Sequence, residues 1–277
     1  MELPWALGPP DGRYLLRRPT DPPDAAPAHV LVLSTLGAAE RRRRLGQRRR
    51  RPAEPEPEPT PVATGRATII DVGEPLAGEA AAQAWLAGAG EEEFGEALAV
   101  LNRALHAFRL VTADPYVHEI VRDHTLVARI GFGAGEQVAE GQWTEAHELV
   151  PVERKLRRAA VLQPQAHLAA ILNGRQRALV CEELTLRARL DLDHGRSREA
   201  ALQVLVALDA ALAELPLDPA AGELSKRLDE LRSRRDSTAL AAQAALAGEL
   251  DLDTLASVVV TLGRIESALR ARAVASS

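Results

Sequence analysis

His118 and Glu119 begin a His-Glu-x-x-His spacing that would hold two imidazoles one helical turn apart on a zinc ion, but Arg122 occupies the second histidine's place. His118 and His124 are six residues apart, so on a helix they point about 120° away from each other. A serine nucleophile on a sharp elbow needs Gly-x-Ser-x-Gly, and Val32 stands where the first glycine before Ser34 belongs. Neither of the two lysines, Lys155 and Lys226, follows a glycine, so no phosphate-cradling Gly-Lys-Ser/Thr loop exists. In GFGAGE (131–136) the third glycine comes one place too early for a dinucleotide loop. Its glycines read instead as a small-residue stripe on a helix, or as a plain helix break. Cys181 precedes Glu182 and Glu183, whose charges disfavour a thiolate, so it is expected as a small buried core residue. Trp143 is expected to anchor a helix in the core, with ligand stacking as the other option. No catalytic residue, metal ligand or cofactor site is assigned. Glu136, His124, His147 and Trp143 are the first suspects if an enzyme pocket exists.

One stretch carries concentrated charge. Arg41, Arg42, Arg43, Arg44, Arg48, Arg49, Arg50 and Arg51 fall within eleven residues and are followed by PAEPEPEPTP. Clustered guanidinium groups repel one another, and the proline–glutamate alternation favours extended backbone, so residues 37–65 are expected as a disordered loop. The eight arginines are the candidate polyanion contact, because counterion release would give weak, salt-sensitive, nonspecific nucleic-acid affinity. No aromatic residue lies in the loop to stack on bases, and Glu40, Glu54, Glu56 and Glu58 offset part of the charge.

The surrounding elements divide into a β-rich beginning and a helical remainder. Arg13–Arg18, His29–Leu36 and Arg66–Val72 are short, bounded by Pro, Gly or Asp, and predict three antiparallel strands. Such a sheet needs a helix on its apolar face, and Glu79–Ala87, with Trp85 and Leu86 as core residues, is the candidate. From Glu91 the pattern reads as helix nearly throughout. Phe94, Leu98, Leu101, Leu105 and Phe108 recur at three- and four-residue steps. Asp114-Pro115 is the start signal for a helix carrying Tyr116, Ile120, Val127 and Ile130, and Asp218-Pro219 repeats that signal. A last helix is expected over about Leu252–Ala273. The fold class is therefore α+β, with a small antiparallel sheet over 1–75 and a larger all-α hairpin or bundle domain over 76–277.

GQWTEAHEL (141–149) and GRSREAALQ (195–203) share Gly-x-x-x-Glu-Ala, EALAVLNRAL (96–105) is related to them, and ALAELPLDP (211–219) has the ending of a helix pair. In these segments the chain, over about residues 96–219, resembles a tetratricopeptide-like array of helical hairpins, although the two copies lie 54 residues apart. The resemblance implies a concave surface for peptides or partner helices. A generic helical bundle explains the same residues.

The bulk numbers narrow the function classes. Net charge is −5, with 12 basic and 10 acidic residues over 1–75 against 22 and 29 over 76–277, so no domain-wide nucleic-acid footprint exists. The single cysteine excludes an intrachain disulfide and suits a reducing cytoplasm. The beginning, MELPWALGPPDGRYLL, lacks the pattern of a signal peptide, and no run of about 18 apolar residues suggests a membrane helix. Arginine-, alanine- and proline-rich usage suggests GC-rich, bacterial coding. The expectation is a non-enzymatic cytoplasmic protein binding a protein partner or itself through a helical surface, with nucleic-acid association through the arginine loop as the alternative.

Overall fold

The computed structural model describes residues 1–18, 21–22, 24–37, 62–73, 75–150, 165, 167–218, 221–248 and 250–275. The architecture is α+β, a small antiparallel sheet followed by helices. It divides into two compact units, Met1–Glu153 and Arg154–Ser277, so the division falls well beyond the 75/76 boundary read from composition.

The first unit is built on a sheet of four antiparallel strands, β1 (Glu2–Leu3), β2 (Gly12–Leu16), β3 (His29–Leu36) and β4 (Thr64–Asp71), in the order β1-β4-β3-β2. The three expected strands are present. β1, at two residues, is too short for any alternation to reveal it. Period-two alternation puts Leu31 and Leu33 on one face of β3, in register with Ile69 and Ala67 of β4.

Two helices follow, α1 (Glu79–Gly88) and α2 (Glu91–Thr112). α2, rather than α1, covers the sheet. Leu101 and Leu105 are buried against Leu3, Leu31, Leu33 and Ala67. Its three leading glutamates suit the positive end of the helix dipole, and Glu93 accepts a 2.6 Å hydrogen bond from the Gly90 amide. α1 packs its Leu86 into a second cluster with Phe94, Ala128 and Ile130, while Trp85, expected in the core, is 39% exposed.

The helix expected after Asp114-Pro115 does not form. Asp114 instead accepts the Tyr116 amide in a local turn at 2.9 Å, and Tyr116 is 81% exposed. The chain runs through irregular backbone and a single 3₁₀ turn, Arg122–His124, into a hairpin of β5 (Arg129–Phe132) and β6 (Glu145–Glu148). Ile120, Val127 and Ile130 are β-branched and accept extended backbone readily, and tertiary partners decided the outcome. GFGAGE therefore runs from the end of β5 through a short link into a 3₁₀ segment, Gly135–Glu140, not along an α-helix. Gly131 pairs with Ala146, and a Cβ there would lie 2.5 Å from the Ala146 Cβ, so the hairpin closes only over glycine. Trp143 lies in the connection before β6, half-buried and outside any helix.

The second unit contains α3 (Val180–Asp193), α4 (Ser197–Glu214), α5 (Ala221–Ala247) and α6 (Leu252–Ala275). Consecutive helices pack on one another, and α6 also packs on α3 and α4, closing a bundle. α4 lies at its centre, burying Ala201, Val204, Ala207, Leu208 and Ala211 against leucines of α5 and α6. The small side chains let the neighbouring helices approach closely. Ser197–Leu217 is long and apolar enough, by length and composition, to cross a membrane; here its alanine-rich face is packed in the bundle core. A search for an unbroken apolar run misses it because polar residues interrupt it.

Candidate functional site

The residues suspected of chemistry stand on different elements of the first unit. Glu136 lies in the 3₁₀ segment Gly135–Glu140, 86% exposed, and pairs with Arg13 at 3.3 Å. His124 accepts the Val121 amide on Nδ1 at 3.4 Å, and its ring meets Trp5 edge-on with centroids 5.4 Å apart. His147 stands on β6 opposite Ile130. Among the described residues, no group of three or more His, Cys, Asp or Glu side chains is placed to hold a metal ion. All eight arginines from Arg41 to Arg51, with 38–61 as a whole, lie outside the described residues; β4 resumes at Thr64.

Arg122, the residue that breaks the zinc-protease spacing, is an anchor. Its Nε reaches both Glu91 carboxylate oxygens at 3.2 Å, Nη1 donates to Thr125 Oγ1 at 2.6 Å and Nη2 to the Leu149 carbonyl at 2.9 Å. The guanidinium carbon sits 4.8 Å from the Phe94 ring centroid. One side chain thus ties the start of α2, the 3₁₀ turn and the end of β6.

In the second unit, the buried Arg272 is neutralised by carboxylates of the same unit. Arg272 on α6 donates from Nε to Asp218 at 2.6 Å and from Nη1 to Glu182 at 2.8 Å, with the Arg272 and Asp218 side chains each only 7% exposed. Burial alone opposes the guanidinium charge, but Asp218 and Glu182 outweigh it and hold the group more firmly protonated than usual. Glu182 also accepts the Leu179 amide at 2.8 Å, capping α3. Cys181 is fully buried. Burial first, then the Glu214 carboxylate, pushes its thiol up to about 12, so it is inert as a nucleophile. Sequence reading placed Cys181 correctly but missed Glu214 and Arg272, whose partners lie 33 and 54 residues away.

The outer surface of this unit differs. Leu186 and Leu190, one turn apart on α3, are 67% and 38% exposed. Two shallow depressions, both open to solvent, lie between α5 and α6 and are lined in part by Lys226, Arg227, Arg264 and Arg270. Of the Gly-x-x-x-Glu-Ala copies, the one at Gly195 sits in the turn between α3 and α4, and Glu145-Ala146 of the other sits in β6.

Fold and surface together define an α+β chain in which a sheet-and-helix unit precedes a helical bundle. No protein-family model, curated protein or solved structure matches it.

Proposed function

We propose that this chain is a non-enzymatic cytoplasmic interaction protein that binds a protein partner, or a second copy of itself, through the helical surface of residues 180–275. The observation carrying this reading is the pair Leu186 and Leu190, solvent-exposed one turn apart on α3 in a bundle whose buried Arg272 is already paired with Asp218 and Glu182. The helical-hairpin resemblance around α3 and α4 supports a docking surface of this kind.

Affinity capture from the native host, at low and high salt, tests the reading with the full chain, a Leu186→Asp/Leu190→Asp variant and a chain lacking 40–52. A stoichiometric protein partner, or self-association by sedimentation, that survives loop deletion and is lost in the leucine variant is expected. Capture of nucleic acid alone, abolished by deleting 40–52, would establish the alternative, in which the eight arginines at Arg41–Arg44 and Arg48–Arg51 contact a polyanion.

A further inference from the structure

We propose that the first half of α6 is a self-association face, on which a second copy of this chain packs its own α6 antiparallel. This rests on the interaction reading above, commits it to a second copy, and places the contact on α6 rather than on α3.

The composition of two helices changes along their length. α5 carries no charged residue after Asp236, and α6 carries none between Asp253 and Arg264, whereas Arg264, Glu266, Arg270 and Arg272 crowd the rest of α6. Thr238 Oγ1 lies 3.4 Å from Thr261 Oγ1, so the two uncharged runs lie side by side. A surface helix ordinarily carries charge on its outer face, and one that is apolar all round is covered. Here the inner face is buried through Val258, Thr261 and Leu262, yet Leu252, Ala256, Val259 and Val260 are exposed on the outer one. Leu252, Ala256, Val259 and Gly263 follow four-, three- and four-residue steps and form one stripe. Gly263 sits inside the helix, where glycine costs stability relative to alanine, and a Cβ there would meet nothing within 4 Å. No neighbour among the described residues requires glycine at that place, whereas close approach of a second helix does.

Charge selects the occupant. Asp253 and Arg264 are eleven residues apart, about three turns, so they stand on one line along the edge of the stripe, one at each end of the uncharged run. The Asp253 carboxylate has no ion pair or hydrogen bond among the described residues. Arg264 meets Glu230 at 2.9 Å with its side chain half exposed. Antiparallel pairing about a two-fold axis beside Val259 and Val260 sets Ala256 against the second copy's Gly263 and Val259 against its Val260. The same axis brings Asp253 to within about 3 Å, measured along the helix, of the second copy's Arg264. The face is thus complementary to itself, as an isologous contact requires. Parallel pairing would set each Asp253 beside the other.

Sedimentation velocity of the full chain over a range of loading concentrations tests this, with circular dichroism verifying that the helices persist in each variant. Val259→Asp and Gly263→Leu put charge or bulk on the stripe at positions that a single chain tolerates, one exposed and the other facing open space. The parent is expected to dimerise, and both variants to be monomeric at the same concentrations. Asp253→Arg and Arg264→Asp should each weaken the dimer about tenfold. An equimolar mixture of those two should recover parental association, because each reversed charge then meets its opposite; a contribution to folding alone would not recover on mixing. The assignment is overturned if the parent is monomeric throughout, if Val259→Asp and Gly263→Leu associate like the parent, or if mixing the charge variants restores nothing. A different protein captured equally by a monomeric parent and by Val259→Asp removes the α6 pairing and leaves the interaction reading intact. Dimerisation lost in Val259→Asp but untouched by Leu186→Asp/Leu190→Asp upholds the α6 pairing and removes the α3 pair from that reading.

Discussion

The Glu214 carboxylate, at the end of α4, accepts the backbone amide of Cys181 at 2.9 Å and that of Val180 at 3.1 Å, so the first amides of α3 are capped by a residue from the far end of the next helix. A helix start leaves its leading N–H groups without internal partners, and carboxylates suit that positive end. This contact fixes the α3–α4 hairpin, which carries the exposed Leu186 and Leu190.

Glu214→Ala should destabilise the second unit by about 1–2 kcal/mol, as for loss of a cap. Burial alone would raise the Glu214 pKa, but the Cys181 and Val180 amides outweigh it and hold it below the usual carboxylate range. A depressed folded-state value makes the stabilisation full above the unfolded carboxylate pKa and progressively lost as pH falls through the folded one. Urea titrations between neutral pH and pH 3, followed by circular dichroism at 222 nm, should therefore show a shallower acid loss in Glu214→Gln than in the parent.

Cys181 gives an independent probe of the same hairpin. Its thiol is fully buried and pushed up to about 12, so it should resist a thiol reagent in the native chain and react at free-thiol rates in denaturant. The reaction rate under native conditions then reports opening of α3 from α4. Glu214→Ala should accelerate it at unchanged pH, and equal rates in parent and variant would mean that the cap does not hold the hairpin.

Arg272→Ala should cost about 3–5 kcal/mol, because it strands Asp218 and Glu182 without their cation. Replacing all three together by aliphatic residues should restore much of that loss. All three tryptophans, Trp5, Trp85 and Trp143, and both tyrosines precede residue 154. Unfolding of the helical unit is therefore silent in intrinsic fluorescence and visible in helical circular dichroism. The Arg272 variants should shift the second signal and leave the first in place.

Asn102 and Ile120 provide the opposite case. The Asn102 amide donates to the Ile120 carbonyl at 2.9 Å and accepts the Ile120 N–H at 2.7 Å, standing in for a strand partner inside the first unit. Asn102→Leu leaves both buried backbone groups unpaired and should cost about 2–4 kcal/mol. That loss should appear in tryptophan fluorescence, with the circular dichroism transition of the bundle unmoved.

The periodic elements were legible in the residues themselves. β-branched alternation marks β3 and β4, and three-four spacing of Phe94, Leu98, Leu101 and Leu105 marks α2. The α+β class follows from where those two periods change over. These are local properties, because the side-chain period is set by backbone geometry and a buried face must be apolar along its whole length. Residues 114–148 were misread for the converse reason. Their apolar residues fit a helix in spacing, yet Asn102, Arg122 and the close approach of Gly131 to Ala146 gave the extended path its hydrogen bonds and packing. The same holds for the Arg272 and Glu214 contacts. No local pattern joins Asp218 to Arg272, because such pairs exist only once the helices are packed. The chain alone thus determined which segments are strand or helix wherever the pattern was strong, while tertiary contacts decided which charges are paired in the core and which face solvent.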